Sequence, residues 1–151
     1  MTRLITILIA TTLLAACSTQ PTEPDTTLYN RLGGQAGITT IVDNLLFEIG
    51  GNETLIGFFA DTDIDRFREK LIEQLCEVSD GPCEYTGDSM AQVHADMDID
   101  NRHFDALVTD LITAMTEAGV PTGAQNDLLA RLVPMHDEVI HAEEHLNGDE
   151  R

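Results

Sequence analysis

The side chains able to do chemistry are few, and their spacing separates them. Cys76 and Cys83 have six residues between them, with Asp80-Gly81-Pro82 able to turn the chain back. That spacing reads as a disulfide closing the end of a helix onto the following loop, and it does not suit a CxxC metal or redox pair. His141, Glu144 and His145 formally fit the H-x-x-E-H pattern of zinc peptidases. They sit in an acidic C-terminal stretch with no following domain to supply a further ligand, so a frayed, solvated helix is the better reading. Lys70 is the only lysine of the chain, and it falls with Arg66 and Arg68 within five residues. Of the other histidines, His94 stands on a short helical segment, and His103 stands beside Phe104 at the start of a longer one.

Helical periodicity dominates the elements that must position these groups. Ile38, Ile41, Val42, Leu45, Leu46 and Ile49 recur on one helical face that ends at Gly50-Gly51. Asp63 can cap a second helix with the apolar line Ile64, Phe67, Leu71, Leu75 and Val78. A short third helix fits Ser89 to Ala95. Asp100 precedes a strong amphipathic run from Phe104 through Leu107, Val108, Leu111 and Ile112 to Met115, stopped by Gly119. Pro121 starts the last helix, whose Leu128, Leu129, Leu132, Val133, Val139 and Ile140 point inward and which Pro134 kinks. No alternating strand pattern competes, so the fold class is all-α. The stretch from Cys76 to Met90 is the least regular, and all five Phe (47, 58, 59, 67 and 104) flank or face it in sequence. Loops of that kind beside a core are where ligands enter.

The 151 residues carry 8 Lys and Arg against 27 Asp and Glu, a formal charge of −19. Such a chain is a poor partner for a nucleic-acid backbone, which is bound mostly by clustered cations. Residues 1–16 have the shape of a secretory leader, with Arg3 followed by an apolar run too short for a permanent membrane span. The run ends in Leu14-Ala15-Ala16-Cys17, which resembles a bacterial lipobox. The resemblance implies cleavage before Cys17, lipidation of that cysteine, and, because Ser18 follows, an outer-membrane lipoprotein facing the periplasm. Residues 17–27 then form the lipidated Cys and a Pro- and Thr-rich tether. Residues 28–142 form the domain, and 143–151 an acidic tail. Cleavage would leave a still more acidic chain in an oxidising compartment, where a disulfide persists.

Across the domain, Leu28-Tyr29-Asn30-Arg31-Leu32-Gly33-Gly34, Gly57-Phe58-Phe59, Gly81-Pro82, Tyr85-Thr86-Gly87, Met90, Val93-His94, His103-Phe104 and Gly119-Val120-Pro121 fall in order. This pattern resembles the group 1 truncated haemoglobins. The family implies a two-over-two helical sandwich around a b-type haem, with His94 as the proximal iron ligand. Ligation needs a neutral imidazole whose second nitrogen meets an acceptor. The motif does not use His103 in this way. By the same resemblance Phe59 stacks on the haem, Met90 and Val93 pack its edge, Phe104 lies on the proximal side, and Tyr85 leads into the proximal helix. Arg66, Phe67, Lys70, Leu71 and Leu75 cover it from the preceding helix.

On the distal side many relatives carry a Tyr and Gln residues that donate to bound oxygen. This chain has Leu46, Phe67 and Leu71 at the matching positions. Neutral diatomics such as CO and NO suit such a pocket, whereas tight oxygen binding and nitric-oxide dioxygenation lose their donors. Gln74 is expected on a different face from Leu71. Lys70 has two readings, a propionate contact aided by Arg66, or a deprotonated amine on the iron. The implied function is binding of diatomic ligands (oxygen, NO, CO) for sensing, storage or transport. Two alternatives are a haem enzyme turning over nitric oxide or peroxide with an unidentified reductase, and a non-haem helical lipoprotein used for interaction, which an intact His94 opposes.

Overall fold

A computed structural model describes residues 26–148, so the leader, Cys17, most of the tether and residues 149–151 lie outside the described residues. Helices α1 (Leu28–Arg31), α2 (Gly34–Gly51), α3 (Ile64–Val78), α4 (Met90–His94), α5 (Asn101–Glu117), α6 (Thr122–Leu132), α7 (His136–Ile140) and α8 (Ala142–Gly148) follow one another, with 3-10 turns at Ile56–Phe59 and Val133–Met135. No strand occurs among the described residues. None of the described helices is long and apolar enough to cross a membrane.

Local chemistry sets the helix ends. Asp63 accepts a hydrogen bond from the Arg66 N–H and starts α3. Ser89 with Gln92, and Asp100 with His103, form reciprocal capping boxes for α4 and α5. His103 is thereby committed to structure: its Nδ1 accepts from the Asp100 N–H at 3.1 Å, and its ring meets Phe58 edge-on. Gly119, at φ +74°, lets the chain leave α5, and Pro121 caps α6. Pro134 separates α6 from α7 through a 3-10 turn. Val133, in that turn, is 63% exposed and borders a cavity together with Leu129, Leu132 and Val139.

α2 packs against α3 and α5, and α6 against α1, α3 and α5. Ile38, Ile41, Val42, Leu75, Met115 and Leu128 are completely or almost completely buried where these layers meet. Phe47 points outward at 79% exposed. At the end of α3 the buried Ser79 hydroxyl donates to the Leu75 carbonyl at 2.7 Å and lies 3.0 Å from that of Cys76. The Ser79 carbonyl in turn accepts from the Tyr29 N–H. Asp80 takes a left-handed turn at φ +63°, and Arg131 pairs with its carboxylate at 2.7 Å. This turn returns the chain so that Cys76 and Cys83 face each other with Cα atoms 5.8 Å apart, a span that suits a disulfide.

The tail differs from its expected frayed state. α8 forms, lies along α4, and buries Ala142. His145 Nε2 is 3.1 Å and His141 Nε2 3.7 Å from the two oxygens of Asp137, which ties α8 to α7. The H-x-x-E-H residues are thus part of a helix-helix junction.

Candidate functional site

A cavity of about 440 Å³ opens between α3 on one side and α4 and α5 on the other, closed at its base by α6 and α7. From α3 and the preceding turn it receives Phe59, Arg66, Phe67, Lys70, Leu71 and Leu75. Met90, Val93 and His94 reach it from α4, Phe104 from α5, and Tyr85 from the irregular loop. A continuous apolar lining with a few polar groups at its mouth is the usual form of a cofactor site. Phe59 and Phe67 meet edge-on with centroids 5.1 Å apart, so two of the expected aromatic contacts brace one another.

Leu46 does not line this cavity, and Leu45 does. Leu45 continues the buried line Ile38, Ile41, Val42 and Ile49, and the next residue on a helix is rotated by about 100°. Leu46 therefore turns toward a separate shallow depression bordered by Phe47 and Asp110. Gln74 corrects a second expectation. It enters the cavity, and its amide nitrogen lies 3.2 Å from Met90 Sδ and 3.6 Å from Met135 Sδ. Thioether sulfur is a weak acceptor, so this contact can hold an amide without any feature in the local sequence marking it.

His94 carries the decisive geometry. Its Nδ1 lies 2.7 Å from the Met90 carbonyl oxygen one turn earlier. A carbonyl only accepts, so Nδ1 bears the proton and Nε2 keeps its lone pair. Burial lowers the pKa of the imidazole below its ordinary value, with the Met90 contact acting weakly in the opposite sense. The ring is thus neutral at neutral pH and oriented, and His94 lines the cavity. That is what a metal-ligating histidine with its outer-shell acceptor requires.

Charges at the mouth are arranged differently from the simple cationic cluster. Arg68 turns away and makes a two-pronged pair with Asp43. The Lys70 ammonium donates to both Glu73 carboxylate oxygens at 2.9 Å and to the Thr86 hydroxyl at 2.6 Å. Its pKa is raised, first by the hydrogen bond to Glu73, so it stays charged and has no lone pair to give a metal. This opposes the iron-ligand reading of Lys70. Arg66 lines the cavity, and among the described residues no carboxylate pairs with it.

The same clasp joins α3 to the loop before α4. Glu73 accepts from the Thr86 N–H at 3.0 Å and from its hydroxyl at 2.8 Å, while Tyr85 donates through its hydroxyl to the Asp88 carbonyl at 2.8 Å. Lys70, and then Thr86, hold the Glu73 carboxyl down from 4.5 to about 2. A folded-state pKa below the unfolded one contributes stability in full above pH 4.5, and the contribution is lost as pH falls toward 2. Glu73→Gln should therefore lower the melting temperature at pH 6, with the difference from wild type closing near pH 2. Thermal melts of the two proteins across that range check this.

The sequence profile described as bacterial-like globin matches residues 27–141. The chain belongs to the truncated haemoglobins of the globin family. The group 1 truncated hemoglobin GlbN of Mycolicibacterium paratuberculosis is 33% identical over 116 residues, covering 77% of this chain and 85% of that protein. The group 1 truncated hemoglobin GlbN of Nostoc sp. is also 33% identical, over 76% of this chain and 98% of its own length. Among solved structures, truncated hemoglobin from Tetrahymena pyriformis in the Fe(III) form aligns with a TM-score of 0.74 at 26% identity, covering 76% of this chain and 98% of that one. As a truncated haemoglobin the protein is a haem-binding globin for diatomic ligands.

Proposed function

We propose that this truncated haemoglobin holds b-type haem through His94 and binds neutral diatomic gases, and that lipid on Cys17 holds it on the periplasmic face of the outer membrane. The observation that carries the haem assignment is the bond from His94 to the Met90 carbonyl, which leaves the Nε2 lone pair free on a residue lining an apolar cavity. When bound, haem supplies an iron centre that takes up oxygen, NO or CO. Phe59, Phe67, Leu71 and Leu75 supply its apolar contacts from α3 and the preceding turn, with Met90, Val93 and Phe104 opposite. Tyr85 helps close the mouth. Arg66 is the cation available to a propionate, and Lys70 serves the loop clasp that borders it.

The residues lining the cavity from α3 also bear on which ligand is favoured. Phe67 and Leu71 offer no hydrogen-bond donor and the Gln74 amide is turned to the Met90 and Met135 sulfurs, so a neutral ligand that needs no donor, such as CO or NO, is retained better than one that gains charge on binding. Reduced, haem-loaded protein should give a five-coordinate spectrum without gas and shift to a six-coordinate one under CO. A six-coordinate low-spin spectrum without gas that Lys70→Ala abolishes would contradict this assignment.

Leu14-Ala15-Ala16-Cys17 supports the anchor, and the close approach of Cys76 and Cys83 supports a disulfide in an oxidising compartment. The intact mass of protein isolated from the cell envelope should show an acylated Cys17 as N-terminus and two hydrogens fewer than the dithiol. Reduction should cost about 2–3 kcal/mol, the loop-closure value for so short a ring. A full-length N-terminus, or two free thiols in native protein, would refute the corresponding part.

A further inference from the structure

The proximal helix is short, and its exit is unusual. α4 has five residues, and its N-terminal end is fixed by the Ser89–Gln92 capping box. At the other end the chain passes from Ala95 into Asp96 at φ +59°, and then Asp98 at φ +50°. Left-handed backbone costs an L-residue with a side chain roughly 1 kcal/mol or more, so neighbours must hold two such residues this close to His94. One holding contact comes from the tail. Glu143 Oε1 accepts a hydrogen bond from the Asp96 N–H at 2.7 Å, across 47 positions of sequence. Glu143 stands in the first turn of α8, which lies along α4 and is tied to α7 by His145 and Asp137.

We infer that Glu143 is a positioning residue for the proximal histidine. Its carboxylate fixes the Asp96 amide, the amide fixes the exit of α4, and α4 fixes the direction in which His94 Nε2 faces the haem. The Met90 carbonyl sets the rotation of the ring, while Glu143 sets the placement of the helix that carries it. α8 is thus a strut behind the iron ligand. This inference rests on His94 being that ligand.

Resonance Raman of ferrous, gas-free, haem-loaded protein tests it, because the iron–histidine stretching band reports the strain and direction of that bond. Glu143→Ala should move and broaden the band and speed haem loss roughly tenfold, the lower end of the effect of outer-shell partners on metal affinity. Glu143→Gln keeps an acceptor oxygen and should restore the wild-type band. Glu144→Ala, one residue on and exposed, should leave it unchanged. A purely structural role for α8 would lower thermal stability in Glu143→Ala with the band unmoved, and that result overturns the inference. Absence of any iron–histidine band in the wild-type protein overturns the assignment of His94, and the inference with it.

Discussion

His94→Gly should keep the helical fold but take up haem weakly and without the Soret band of the wild type, because it lacks the proposed iron–imidazole bond. Two features make the effect large. His94 is the one histidine among the described residues that lines the cavity: His103 is held in the α5 cap and packed on Phe58, and His136 packs on Phe104 with its Nε2 at 2.9 Å from Asn101 Oδ1. His94 is also ready for ligation without rearrangement, its tautomer being set by the Met90 carbonyl. Its loss should cost the fold little. Glycine within α4 costs only about 1 kcal/mol. The space left by the ring should admit free imidazole, so titrating it into haem-loaded variant should return the Soret band. A band of wild-type intensity before imidazole is added would show that the iron is held elsewhere.

Gly37→Ala is expected to have the largest effect on stability away from the haem. The turn from α1 into α2 brings the Leu32 carbonyl against the Cα of Gly37, and a Cβ there would overlap that carbonyl oxygen and its carbon. Backbone cannot yield as a flexible side chain can. Gly33, at φ +94°, packs on the same Gly37 Cα, so moving the turn carries the strain into a second special position. The cost should be about 3 kcal/mol, at the upper end for overpacking. For a domain of this size that lowers the melting temperature by about 10 °C. Gly123→Ala is the control, since an added Cβ would meet only the far end of Arg31 at 3.6 Å. Melting curves of the two variants should separate clearly.

The apolar periods and the caps made most of the fold legible. Asp63, Ser89 and Asp100 each start the helix their side chains predict, and Gly119 and Pro121 bound α5 and α6 as their backbone preferences require. What escaped depends on rotation and on distant partners. Leu45 and Leu46 are both apolar and adjacent, and only the packing of α2 decides which of them reaches the cavity. Gln74 enters the cavity because two methionines from separate elements meet it there, which no local pattern encodes. The charges of Arg66, Arg68 and Lys70 look equivalent along the chain, yet they divide among the cavity, Asp43 and Glu73. An acidic stretch reads as solvated tail until Glu143 is seen holding the Asp96 amide.

Haem titration of the mature, folded wild-type chain, followed at the Soret maximum, should give a saturating transition at one haem per chain, with a band that is weak in His94→Gly. The absence of saturable uptake by well-folded protein would contradict the haem assignment.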